Sequence, residues 1–136
     1  MMIKDISGVD LFAEQMLQDT PGVVQLDIKD YNSIKSCSST LNAVSIKLPV
    51  DVKTSIDEYR EIIKSFSNEK AHRLMLQVCT VGNNLEQHSI TIDEMTEIFK
   101  GIDEHFGDID IVWGLSSRED SEICGYDINI IVGYAL

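Results

Sequence analysis

With 136 residues, 43% of them apolar and 25% charged, the chain is long enough for one domain whose core needs neither disulfide nor metal staples. Its 11 basic residues face 23 acidic ones, and a net charge of −12 repels phosphate backbones and anionic lipid surfaces, so neither nucleic acid nor membrane is expected as a partner. Cys37, Cys79 and Cys124 are odd in number and widely spaced, the pattern of small buried thiols in a reducing cytoplasm; Met1–Asp5 carries no apolar leader, no run approaches the ~18 apolar residues of a membrane span, and the expected location is cytoplasmic.

Ile6, Val9, Ala13 and Met16, flanked by Phe12 and Leu17, fall at helical spacing, and Asp19-Thr20-Pro21-Gly22 stops the helix near Gln18. Val23–Ile28 is short and apolar with polar residues interleaved, which predicts an extended segment too brief to count as a ladder strand. Asp30 reads as the N-cap of a short helix with Tyr31, Ile34 and Cys37 on its apolar face. Val44, Ile46 and Leu48 alternate with polar or small residues up to Pro49, giving the first firm strand.

Val52, Ile56, Tyr59, Ile62, Ile63 and Phe66 form an amphipathic stripe, with Ser55 and Glu58 at capping-box spacing. Leu74–Val81 is apolar at odd and even positions alike, as a central strand covered on both faces would be, and Gly82-Asn83-Asn84 breaks it. Thr91 and Glu94 repeat the capping-box spacing ahead of Ile92, Met95, Ile98, Phe99, Ile102 and Phe106, and Gly107 ends that helix. Ile109, Ile111, Trp113 and Leu115 alternate, as do Tyr126, Ile128, Ile130, Val132 and Tyr134. The polar stretch 116–125 between them predicts an exposed loop carrying Arg118, Glu119 and Asp120, and the two strands read most simply as a hairpin, with Trp113 and Tyr134 in the core. The expected architecture is a single layered α/β (α+β) domain over 1–136, with a four-stranded sheet and helices packed on it. His72, His88 and His105 lie far apart, with no second ligand three or four residues on, so no metal site is expected.

The element order, and the residues that carry it, resemble the C-terminal domain of FtsZ, the tubulin-like GTPase of bacterial cell division. Pro21-Gly22-Val23-Val24-Gln25-Leu26-Asp27-Ile28-Lys29-Asp30 resembles the family's synergy loop, Pro-Gly-x-x-Asn-x-Asp-x-x-Asp, with Gln25 in the place of Asn. Leu76–Gly82 is similar to the family's strand running into a Gly-rich turn, and Ile92-Asp93-Glu94-Met95 sits where its next helix begins. Ile109–Gly114 is similar to its Ala-x-Ile-x-x-Gly strand with Ile109 in place of Ala, and Asp127–Tyr134 to its closing strand. In these terms residues 1–18 correspond to part of the central helix, 21–30 to the synergy-like loop and 31–136 to the sheet and helices.

The resemblance implies a domain that contacts a tubulin-like GTPase or filament, as its activating half or as an end-capping or regulatory module in cell division. Asp27 and Asp30 would then act in trans by polarising the water that attacks GTP bound to a partner subunit, with Gln25 positioning it. The residues also allow a plainer reading, in which Asp30 caps a helix and Asp27 faces solvent. Nothing in the chain resembles the Gly-Gly-Gly-Thr-Gly-Thr-Gly phosphate loop, so it is not expected to be a GTPase by itself or to bind a cofactor alone; GTP and Mg²⁺ would sit on the partner, an FtsZ-type GTPase or another copy in a filament. Two alternatives stand beside this reading: a fragment of a full-length FtsZ-like GTPase, and a small-molecule enzyme of the related chorismate-mutase-like architecture.

Overall fold

A computed structural model describes residues 2–18, 20–49 (20–24 by their backbone alone), 55–82, 90–120, 122 and 124–136. Along the chain run α1 (Ile6–Met16), β1 (Thr20–Val24), α2 (Ile28–Ser36), β2 (Thr40–Pro49), α3 (Ile56–Lys64), β3 (Ala71–Gly82), α4 (Ile92–Phe106), β4 (Asp110–Glu119) and β5 (Gly125–Tyr134). Apart from β1, the order of helices and strands is the one expected from periodicity, and the domain is mixed α/β. Val52, Asn83, Asn84 and His88 lie outside the described residues.

All four expected strands share one sheet, and β1 joins them as a fifth, in the order β1-β4-β3-β5-β2. Strand β1 was expected only as an extended segment; it pairs with β4 at Thr20↔Ser117, Pro21↔Ser116 and Val24↔Leu115, with an irregularity between Pro21 and Val24. It is held by the backbone groups that the edge of β4 offers.

The expected hairpin is absent: β4 and β5 lie on opposite sides of β3, parallel and antiparallel to it respectively. The cause lies in β3. Residues Leu74–Cys79 are all buried, so this strand needs a ladder on either side and a layer on each face, and it takes up both neighbours that a hairpin would have paired together. β2 is antiparallel to β5 and therefore parallel to β3, from which β5 separates it; α3 carries the chain between these two parallel strands, and α4 is the long crossover between the parallel neighbours β3 and β4. Ser116–Glu119, expected in a loop, continue β4, and Arg118 is half-exposed and ion-paired rather than free in solvent.

Even-numbered residues of β5, from Tyr126 to Tyr134, face α3 and α4, where they pack with Tyr59, Ile63, Phe66, Ile98 and Ile102. Odd-numbered Ile131, together with Ala43 and Met75, faces α1 and α2 and packs with Val9, Ala13, Met16, Tyr31 and Ile34. The domain thus has two cores on one sheet. Within the α3/α4 layer a buried polar group joins the two helices: the Tyr59 hydroxyl donates to Ile98 O at 2.6 Å, and burial holds that phenol well above its ordinary pKa. A Cβ on Gly101 would come within 2.8 Å of the Tyr59 ring, which makes this position of α4 one where the helices approach closely.

Capping differs from expectation at two of three helix starts. Thr91 and Glu94 do form the reciprocal pair, at 3.1 Å and 3.0 Å. Ser55 stands at the N-cap of α3 but makes no side-chain cap bond. Helix α2 is capped by Asp27, with Asp30 in its first turn, so the N-cap lies three residues earlier than expected. Gly107 ends α4 at φ +70°, a conformation that glycine adopts without steric cost. Ile92 is 85% exposed and Trp113 37%, so neither belongs to the core proper; Trp113 meets the edge of Phe99 on the rim of α4. Cys79 is buried as expected, whereas Cys37 and Cys124 are exposed.

Candidate functional site

After Val24 the chain leaves the sheet edge and turns into α2 through Gln25, Leu26 and Asp27. Leu26 is half-buried against the α1/α2 core and anchors the turn, while Gln25 and Asp27 on either side of it are exposed. Asp27 has extended backbone angles and accepts with Oδ1 from Lys29 N at 2.8 Å and Asp30 N at 3.3 Å. Asp30 replies with Oδ2, which accepts from Asp27 N at 2.9 Å. This reciprocal box satisfies amides that the first turn of a helix leaves without partners, and it places two carboxylates at the positive end of the helix dipole.

The structure therefore brings Asp27 and Asp30 into direct contact. One oxygen of each is committed to backbone, and Asp27 Oδ2 and Asp30 Oδ1 make no hydrogen bond among the described residues. Gln25 shares the turn, but no hydrogen bond joins its side chain to either aspartate. The box fully accounts for both carboxylates as helix caps, and the two remaining oxygens are free to orient a water molecule or meet a metal-bound nucleotide.

Helix α2 is itself held in place. Asp10 of α1 accepts from the Tyr31 hydroxyl and, with Oδ2, from Lys35 Nζ at 3.0 Å, and these two partners hold the Asp10 carboxyl below its usual range. The same contact, after desolvation, raises the pKa of Tyr31. Beside the turn, Asp30, Ser33 and Ile34 of α2 and Arg73, Asp110 and Val112 of the sheet enclose a cleft of about 200 Å³.

Sequence reasoning missed a second polar region, at the other end of the same sheet face. Asp127 Oδ2 accepts from Arg118 Nη2 at 2.8 Å and pairs with Lys47 Nζ at 2.9 Å, with its side chain only 7% exposed. Next to it Asn129 Nδ2 donates to Gln77 Oε1 at 3.0 Å, and Gln77 Nε2 donates to Met16 O at 2.8 Å, tying the last turn of α1 to the sheet. The signal was present in the alternation of β5: Asp127 and Asn129 share the parity of Ile131, so they had to point at the face covered by the second helical layer.

His72 Nε2 lies 3.0 Å from Ser38 Oγ and His105 Nε2 2.6 Å from Phe66 O, both in structural contacts. Among the described residues no group of three or more His, Cys, Asp or Glu is placed to hold a metal ion, and no helix is long and apolar enough to cross a membrane.

No family model matches the chain, and no curated protein matches it in sequence. Solved structures do match in fold. GDP-form protofilaments of TubZ from Bacillus thuringiensis serovar israelensis align with TM-score 0.64 at 11% identity, over 88% of this chain and 31% of that one. A GTPγS-form protofilament of the same protein aligns with TM-score 0.67 at 10% identity, over 95% and 35%. The TubZ-Bt four-stranded filament gives 0.64 at 12%, over 94% and 33%. The chain spans about a third of the length of these proteins, and at such identities the likeness is one of fold alone, a tubulin-like fold.

Proposed function

We propose that this domain contacts a tubulin-like GTPase or its filament through the turn Gln25–Asp30, as an activating half or as an end-capping or regulatory module in cell division, in the manner of an FtsZ C-terminal domain. The observation that supports this most is the fold likeness to a filament-forming protein over nearly the whole chain, combined with a turn that presents two carboxylates side by side. Phosphoryl transfer asks a protein mainly for positioning and electrostatics, and a water-orienting carboxylate on one subunit can serve a nucleotide held by another. Asp27 and Asp30 each keep one oxygen for that purpose, and Gln25 offers an amide beside them. The contact is made by the loop face, so docking is expected of this domain alone and of the domain as part of a longer chain, whereas end-capping is expected of the domain alone.

Head-to-tail filaments grow by heterologous contacts, so a unit that offers only one competent face binds an end and stops growth there. The purified domain is added to the tubulin-like GTPase of the same cell, and sedimented polymer and released phosphate are both followed. Wild type lowers polymer mass; Asp30→Ala keeps that effect and loses any stimulated phosphate release, because a water-orienting group acts chiefly in the transition state. Titration of the domain alone with GTP and Mg²⁺ gives no heat of binding, since its scattered glycines supply no phosphate cradle. If wild type in excess alters neither quantity and forms no sedimenting complex, the proposal is wrong.

A further inference from the structure

The cleft beside the turn holds a guanidinium that forms no ion pair among the described residues. Arg60 is paired with Glu97 at 2.9 Å and Arg118 with Asp127 at 2.8 Å. Arg73, the remaining arginine, forms no ion pair among the described residues: its Nη1 donates to Ser33 Oγ at a long 3.4 Å, although it shares the cleft with Asp30 and Asp110. Its backbone is fixed by the sheet, where Arg73 is the register partner of Asp110 on β4 and of Gly133 on β5. A half-buried arginine on a rigid strand, lining a cleft open to the outside and left with most of its donors unused, is arranged to meet an external acceptor.

We propose that Arg73 contacts the terminal phosphate oxygens of a nucleoside triphosphate carried by the tubulin-like partner, and so makes docking selective for the triphosphate state. The inference rests on the function proposed above and adds the group that reads the nucleotide. A chain of net charge −12 is repelled by a polyphosphate at a distance, so attraction has to come from a local cation at the contact itself. The planar guanidinium matches two phosphate oxygens at once, which a lysine ammonium cannot do. Asp30 and Asp110 flanking it are suited to a phosphate that brings its own Mg²⁺, since a divalent cation reverses the local preference for charge. Loss of the terminal phosphate removes the acceptor.

The test is co-sedimentation of the domain with partner filaments held either with GTPγS or with GDP, using wild type, Arg73→Ala, Arg73→Lys and Ser33→Ala, each first shown to be folded by circular dichroism. Wild type is expected to bind the GTPγS filaments about tenfold more tightly or better, the size of a charge-assisted hydrogen bond. Arg73→Ala binds both forms equally, at the wild-type GDP level, and Arg73→Lys falls between because it keeps the charge without the fork. Ser33→Ala weakens the preference by less than Arg73→Ala, since it only releases the guanidinium. If Arg73→Ala retains the full preference, or wild type binds both forms alike, this inference is overturned while the docking function stands. If wild type sediments with neither form, the docking function itself fails and this inference with it.

Discussion

Replacing Asp27 separates what its carboxylate does for the helix from what it does for a partner. In Asp27→Ala, Lys29 N and Asp30 N lose their acceptor at the start of α2, and the reciprocal bond from Asp27 N to Asp30 Oδ2 loses the geometry that holds it. Removing an N-cap of this kind costs about 1 kcal/mol. For a domain of 136 residues, an unfolding entropy of about 2 cal/mol/K per residue turns that into a fall in Tm of about 3 to 4 °C. Asp27→Asn keeps an oxygen in the same place and caps equally well, so its Tm should stay within about 1 °C of wild type. Phosphate release stimulated in trans should separate differently: asparagine lacks the charge that polarises a water molecule, so both variants lose stimulation. Thermal unfolding followed by circular dichroism at pH 7 gives the first quantity and the coupled GTPase assay the second. If Asp27→Asn is as unstable as Asp27→Ala, charge rather than hydrogen bonding holds the turn and the capping argument is refuted. If Asp27→Asn stimulates as well as wild type, the carboxylate is only a cap.

Gln77→Leu leaves Met16 O and Asn129 Nδ2 buried without their partner and should cost about 2 to 4 kcal/mol by denaturant unfolding, while Gln77→Leu combined with Asn129→Leu should recover part of the loss by removing an orphaned amide. All four tyrosines are held above their ordinary pKa, with burial the largest cause in each and Tyr126 pushed up to about 12. A raised folded pKa contributes stability that is complete below the unfolded value near 10 and is lost as the pH rises through the folded value. Phenolate absorbance of the folded protein should therefore lag behind that of the unfolded chain as the pH rises through about 10, with Tyr31, Tyr59 and Tyr126 ionising last; a transition of all four phenols near pH 10 in folded protein would contradict the burial.

Local pattern was enough to determine the order of elements, because period and capping chemistry act over a few residues: the Thr91/Glu94 box, the stop at Gly107 and the doubly apolar Leu74–Val81 all stand where the residues put them. The resemblance carried by Pro21–Asp30 likewise fell on a turn in which Asp27 and Asp30 cap each other's backbone. Sequence could not decide which strands pair. Alternation in 109–115 and 126–134 says that each is a strand with one apolar face, but not that β3 stands between them, because that depends on a strand some thirty residues earlier competing for the same ladders. Nor could it place Arg118 against Asp127, or leave Arg73 outside every ion pair among the described residues: pairing of charges across a sheet follows from register, and register exists only once the sheet has formed.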